Sequence, residues 1–260
     1  MADLLESIED GVAVLTLNRP EALNALSMDI RNGLLSAMDR YADDNNVRCI
    51  VITGAGRAFS SGGDVKSMGE RSARGYEARA RGIQFSNSIP MAMRKHPKVI
   101  IGMVNGVAAG AGMSMSLACD LRIAGKSARF TTAFLKIGLS GDWGGTWTLT
   151  RLVGTAKARE LFLLPDMVPA DEALKLGIVN RVVEDADLRS ATMEIARRIA
   201  DMPQVAVAGI KRNLFAAETE SFASVLDHEA FNQARCSQTE DHREAVAAFK
   251  EKRKPVFKGQ

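Results

Sequence analysis

Asp142 is the side chain of this sequence that chemistry would most readily use. It lies in the run Leu139-Ser-Gly-Asp-Trp-Gly-Gly-Thr146, just ahead of a helix start. Trp143, Trp147 and Phe134 are near it in sequence and provide an apolar surround. A carboxylate taken out of water holds its proton more tightly, which moves its pKa toward the range a proton shuttle needs. A second reading stands beside the first: aspartate is a preferred helix N-cap, and a helix is entered at Gly144. The two roles do not exclude each other.

Two stretches of small residues offer backbone rather than side-chain chemistry. One is AFSSGGDVK, residues 58–66, and the other is VNGVAAGAGMS, residues 104–114. Glycine and alanine leave backbone N–H groups open to close approach. A helix beginning near Gly110 would aim its positive end at a bound oxygen. Such donors suit an oxygen that gains negative charge during a reaction. The plainer alternative for Gly62 and Gly63 is a strand-to-helix turn with Asp64 as its cap. The histidines, His96, His228 and His242, show no metal-ligand spacing, and no metal site is expected. Ser60, Ser61 and Ser114 have no histidine partner in sequence, which argues against a Ser-His-Asp hydrolase. His96, before Pro97, reads as a helix-end residue.

The elements that must hold these residues alternate in character. Val12 to Leu17 is a β-rich run after the turn signal Asp10-Gly11. Ser27 caps a helix with an apolar face of Ile30, Leu34, Leu35 and Met38. Cys49 to Thr53 reads as a buried strand and Ala55 to Asp64 as a loop. Helical sequence runs from about Tyr76 to Met93, and Pro97 ends it. Val99 to Val104 and Leu121 to Ala124 are further strands, with a helix toward Leu117 between them. After Gly145 the chain is mostly helical, with one short strand near Ile178 to Val183. Strands joined through helices imply a largely parallel sheet.

Composition narrows the classes. The chain has 260 residues and a formal charge of +3, enough for one substantial core and too little charge to name a partner. Its cysteines, Cys49, Cys119 and Cys236, are odd in number and widely spaced, which speaks against a disulfide framework and for a reducing compartment. The acidic segment Met1 to Asp10 has no signal-peptide pattern, and no apolar run approaches a membrane span. A cytoplasmic protein is the expectation. The basic tail, Lys250 to Lys258, has little aromatic interleaving, so nucleic-acid binding is not expected.

Four stretches together carry a resemblance: NRPEALNAL (residues 18–26), AFSSGGDVK, VNGVAAGAGMS continuing to Cys119-Asp120, and AFKEKRK (residues 248–254). In this order and spacing the chain resembles the enoyl-CoA hydratase/isomerase, or crotonase, superfamily, and is most similar to its epoxyphenylacetyl-CoA isomerase and enoyl-CoA isomerase branch. The resemblance implies an α/β fold, a spiral of ββα units over residues 1–200. It implies a helical C-terminal lobe over residues 201–260 that serves trimerisation and closes the CoA site. It implies an acyl-CoA thioester whose carbonyl oxygen is held by the N–H groups of Gly63 and Ala111, the latter where the family often has glycine. The CoA would lie against Ala22, Leu23 and Ser61. Lys66 would meet a phosphate, and Phe249 and Lys252 would help close the site, although Lys252 reads equally well as part of a solvated charge run. Met68 would line the acyl pocket. No cofactor beyond the CoA of the substrate is implied, and the assembly would be a homotrimer or a dimer of trimers.

The departures are as informative. Hydratases of the resembling type use two glutamates, and ungapped counting places Ser114 and Phe134 at those positions. Neither exchanges protons near neutral pH. An aspartate matching Asp142 occurs in family branches that include isomerases and a dehalogenase. The favoured expectation is therefore an enoyl-CoA isomerase in fatty-acid or aromatic-acid catabolism, moving one proton between two carbons with one base. The alternatives are an enoyl-CoA hydratase with a non-standard acid/base set and a non-catalytic acyl-CoA-binding protein.

Overall fold

The computed structural model describes residues 2–64 and 75–259. Lys66 and Met68 lie outside the described residues. The chain opens with a hairpin of β1 (Leu4–Glu9) and β2 (Val12–Leu17), paired antiparallel across Asp10-Gly11. Both turn residues have positive φ, 50° and 76°, as a two-residue hairpin loop requires. Helix α1 (Met28–Asp43) follows, with the Ser27 hydroxyl accepting the Ile30 N–H at 3.2 Å.

Three strand pairs then repeat one pattern. β3 (Cys49–Gly54) is followed by β4 (Ala58–Ser60), and later by α2 (Tyr76–Lys95). β5 (Val99–Val104) is followed by β6 (Val107–Ala109) and α3 (Ala111–Ala118). β7 (Leu121–Gly125) is followed by β8 (Arg129–Thr131) and α4 (Gly145–Leu163). The first strand of each pair enters one sheet and the second enters another. The larger sheet has the order β1-β2-β3-β5-β7-β10, and the smaller one β4-β6-β8-β9. This is the ββα spiral of the crotonase fold. Its closing elements are β9 (Val168–Pro169), α5 (Ala170–Lys175), β10 (Arg181–Val183) and α6 (Leu188–Ala200). Helices α7 (Gln204–Thr219), α8 (Phe222–Ser237) and α9 (Glu240–Glu251) complete the chain.

Both faces of the larger sheet are covered, as parallel strands require. Ala13, Leu15, Ile50 and Ile52 point into the main core with Leu34 and Met38 of α1. Val12, Val14, Cys49, Val51 and Ile123 point the other way, against Leu188, Met193 and Ala196 of α6. An expected loop and a stretch expected to lead into a helix prove to contain strands. The segment 55–64 holds β4, and the small-residue stretch after Gly106 holds β6. Each is three residues long, and the neighbouring strands rather than an apolar/polar alternation define them. The three cysteines are free, and burial pushes the Cys49 and Cys119 thiols up to about 12.

Two buried polar residues fasten the C-terminal part to the sheet ends. Lys211 of α7 donates to the Met93 carbonyl at 3.0 Å, the Lys98 carbonyl at 2.9 Å and Asp120 Oδ2 at 2.7 Å. His96 caps the C-terminal end of α2 and is buried. Its Nδ1 accepts the Lys98 N–H at 3.1 Å, which leaves Nε2 to donate to the Met38 carbonyl at 3.0 Å. Burial, the largest cause, and the Lys211 charge push its pKa down to about 4 from 6.5. The depressed value means that His96 contributes stability above pH 6.5, and that this is lost as pH falls through about 4. We predict that His96→Gln flattens the acid side of the stability-versus-pH curve and costs roughly 1–3 kcal/mol at neutral pH, read by denaturant unfolding. An unchanged acid limb in the variant would contradict this role.

Candidate active site

The site is built where the turn after β4 meets the N-terminus of α3. Asn24 organises the approach. It is fully buried, with φ 55°. Its Oδ1 accepts the Arg19 N–H at 2.9 Å, and its Nδ2 donates to the carbonyls of Ala55 and Ala58 at 2.9 and 2.7 Å. The Ser60 hydroxyl donates to the Asn24 carbonyl at 2.8 Å and accepts the Gly62 N–H at 3.2 Å. The Leu26 N–H donates to the Gly62 carbonyl at 2.8 Å. Asn24 lies within the stretch that carries the family resemblance, but a side chain that bonds only backbone has no chemical signature in sequence.

With its neighbours bonded in this way, the Gly63 N–H meets no acceptor among the described residues. Ala111 is the first residue of α3, so its N–H has no partner within the helix. Gly62 brings the two together. Its φ is +91°, and a Cβ there would fall 2.6 Å from the Ala109 carbonyl oxygen and 3.0 Å from the Ala111 nitrogen. Only glycine fits. The two expected donors are thus neighbours at the positive end of a helix.

Phe134, at 7% exposure, bridges from these donors to Asp142. Its ring lies 3.7 Å from the Cβ positions of both Gly110 and Gly141, and it stacks on Phe162 with centroids 6.4 Å apart. Ser114 is also buried, with its hydroxyl donating to the Gly110 carbonyl at 3.2 Å and packed beneath Gly145. The two positions that ungapped counting matches to the hydratase glutamates present a hydroxyl and a ring beside the N-terminus of α3.

Asp142 is not a helix cap. Gly144, at φ 70°, holds the N-cap position of α4, and no side chain caps that helix. Asp142 contributes only its main-chain carbonyl, which accepts the Gly145 N–H at 3.1 Å. Its Oδ1 is buried and has no hydrogen-bond partner among the described residues. Burial raises its pKa above the usual carboxylate range, and the Arg31 charge pulls the other way. The expected surround needs one correction. Trp143 is buried in the core, but Trp147 lies between the guanidinium groups of Arg94 and Arg151, at 4.8 and 3.7 Å from its ring centre. The Asp64 side chain pairs with Arg19 at 2.9 Å, and the helix it is expected to cap lies outside the described residues.

The expected CoA contacts divide. Ala22, Leu23 and Ser61 come together, with the Ser61 N–H on the Leu23 carbonyl at 2.8 Å and its hydroxyl on the Ala22 carbonyl at 3.3 Å. Phe249 and Lys252 stand apart at the end of α9, Phe249 at 86% exposure and Lys252 as the left-handed C-cap. No hydrogen bond or ion pair joins them to the Arg19–Leu26 segment. A cavity of about 770 Å³ opens at the opposite, C-terminal end of α3, lined by Leu117, Asp120, Trp147 and Lys211 among others. It contains none of the expected site residues. No cluster of three metal-ligating side chains occurs among the described residues, and no helix among them is long and apolar enough to cross a membrane.

Asp142 destabilises the fold when ionised. Its folded-state pKa is raised, so its contribution is favourable below the unfolded value and is lost as pH rises through the folded one. We predict that Asp142→Asn raises the Tm at neutral pH and that the gain disappears in acid. A Tm that falls at neutral pH would show that Asp142 serves the fold.

Comparison with known proteins bears on the family and the fold. The family model for enoyl-CoA hydratase/isomerase matches residues 7–260. The 1,2-epoxyphenylacetyl-CoA isomerase of Escherichia coli (strain K12) is 37% identical over 260 residues, covering 100% of this chain and 99% of that protein. The short-chain-enoyl-CoA hydratase of Clostridium acetobutylicum is 36% identical over 247 residues, covering 95% and 94%. Among solved structures, an enoyl-CoA hydratase from Polaromonas sp. JS666 superposes with a TM-score of 0.94 at 31% identity, covering 98% of this chain and 99% of that one.

Proposed function

This chain belongs to the enoyl-CoA hydratase/isomerase family, and from that premise we propose that it moves the double bond of an enoyl-CoA thioester. The observation that carries the proposal is the half-buried carboxylate of Asp142, whose buried Oδ1 has no partner among the described residues, on a turn whose Gly141 packs on the same Phe134 ring as Gly110 beside the two backbone donors. The thioester carbonyl oxygen sits between the N–H groups of Gly63 and Ala111. Asp142 takes a proton from one carbon of the acyl chain, and the electron pair moves into the dienolate, whose charge rests on the held oxygen. The same carboxylate then returns the proton two carbons away. Nothing is added or lost. The raised pKa of Asp142 suits both halves, since the group must accept the proton and then release it.

Hydration would place water across the double bond and is easier with a second acid/base group. Ser114 and Phe134 do not supply one. The pantetheine arm lies against Ala22, Leu23 and Ser61. Exposed apolar side chains on α7 and α8, including Leu214, Phe222 and Phe231, support assembly of the chain as a homotrimer or a dimer of trimers.

The first test incubates the protein with 3-enoyl-CoA and 2-enoyl-CoA esters in deuterated water and reads the products by mass spectrometry. A shifted double bond with deuterium at the α- or γ-carbon is expected. Asp142→Asn should lower the rate by at least about 100-fold while the ester still binds. A mass gain of one water would favour a hydratase, and an unlabelled, unchanged ester would favour a binding protein.

Ala111→Pro tests the oxyanion donors separately. Proline lacks the N–H but is tolerated at the first position of a helix. Turnover should fall by roughly 100- to 1000-fold, and the Tm and ester binding are read beside it because the proline ring packs against Gly62. Full turnover would exclude the Ala111 N–H from the reaction.

A further inference from the structure

We propose that Asn87 is a positioning residue for the reaction, locking the turn that carries Asp142; the inference rests on the reading of Asp142 as the proton carrier. The turn is Gly141-Asp142-Trp143-Gly144. Gly141 has φ 112°, Trp143 has φ 55° and Gly144 has φ 70°. A left-handed backbone is ordinary for the glycines but sterically disfavoured for a bulky tryptophan, so something must hold it. Burial of the indole in the core holds one side. The other hold is a single bond: the Trp143 N–H donates to Asn87 Oδ1 at 2.9 Å.

That bond acts on the peptide plane directly after Asp142. The carbonyl of this plane belongs to Asp142 and accepts the Gly145 N–H at 3.1 Å. The N–H of the plane belongs to Trp143 and goes to Asn87. With both ends fixed, the plane cannot rotate, and the Asp142 side chain keeps its direction without any bond to its own Oδ1. A carboxylate that must reach two carbons of a substrate benefits from being aimed through its backbone, because a bond to the acid itself would hold the proton or lower its affinity.

The preceding residue on α2 gives the arrangement its second half. Ser86 is buried, and its hydroxyl accepts Arg31 Nη1 of α1 at 3.0 Å. Arg31 is the charged group whose field reaches Asp142. The other groups described around the turn, Phe134, Phe162, Ser114 and Asn87, are uncharged. Adjacent residues of α2 therefore hold the cation and the turn on which the carboxylate depends. Asn87 itself is more than a third exposed, so it owes little to core packing.

Two variants in the intact protein test the role. Asn87→Ala removes the acceptor. A fall in kcat on the order of 100-fold is expected, with KM for the enoyl-CoA ester unchanged. Asn87→Asp keeps an acceptor for the Trp143 N–H and adds a negative charge beside Asp142. Turnover should recover at high pH, with the acid limb of kcat moved to higher pH because a second negative charge disfavours ionisation of Asp142. A merely structural asparagine would change the Tm and leave that limb in place. Wild-type kcat in Asn87→Ala, with Asp142→Asn inactive, would overturn the positioning role alone. Full turnover by Asp142→Asn would overturn the reading beneath it. Should Asn87→Ala fail to fold, Asn87→Asp decides, and an acid limb that does not move overturns the proposal.

Discussion

The close approach of the Gly62 backbone to the N-terminus of α3 is the constraint on which the rest of the site depends. Two segments far apart in sequence must meet with their main chains nearly touching. No side chain can intervene, and both segments must still satisfy their own polar groups. The solution is a dense set of bonds around Asn24, Ser60 and Leu26, beside which the Gly63 and Ala111 N–H groups have no acceptor among the described residues. The spiral of strand pairs serves this meeting. β4 and β6 lie parallel and adjacent, so the turn after one is delivered beside the helix after the other.

The buried ionisable groups of this chain fall into two kinds, and the contrast gives Asp142 its weight. Lys211 has three acceptors, and Arg122 donates to the carbonyls of Ile178 and Cys119, both at 2.6 Å. Burial lowers the pKa of each, yet the hydrogen bonds justify their presence as ties between elements. Asp142 has no such tie at Oδ1 among the described residues. A fold gains nothing from a desolvated carboxylate without a partner, so its place there points to chemistry. Cys49 and Cys119, held as thiols by burial, belong to the core for packing alone.

Much of this was legible in the sequence. The cap at Ser27, the strand Val12 to Leu17 and the strand Val99 to Val104 each carry a local signal, and each element stands where that signal places it. The glycine-rich stretches mark where Gly62 meets Ala109 and Ala111, because a close main-chain approach leaves a compositional trace. What was not legible depends on distant partners. β1 is an acidic edge strand whose pairing is supplied by β2. Trp147 sits near Asp142 in sequence, but one turn of helix carries it to Arg94 and Arg151, away from the carboxylate. Asp142 looked like a cap because sequence shows proximity to a helix start and not the left-handed backbone at Gly144 that takes over the cap position.

The uncharged residues Ser114 and Phe134, at the positions that ungapped counting matches to the hydratase glutamates, fit together with Asp142. A glutamate at position 114 would have to share the space beneath Gly145, where the Ser114 hydroxyl already fills the gap. A glutamate at position 134 would bring charge and water to the place where Phe134 packs against Gly141 and Gly110. The ring that stands in place of one acid is therefore part of what dries the other. Desolvation is the largest cause of the raised Asp142 pKa, and Phe134 and Phe162 pack against the adjacent Gly141. An uncharged wall at Ser114 and Phe134 and a carboxylate with its pKa raised by burial are physically compatible for that reason. Restoring either glutamate without removing Asp142 would place like charges together and shift both pKa values upward. A chain with this wall is consistent with a reaction that needs one proton carrier, and it leaves little room for a second.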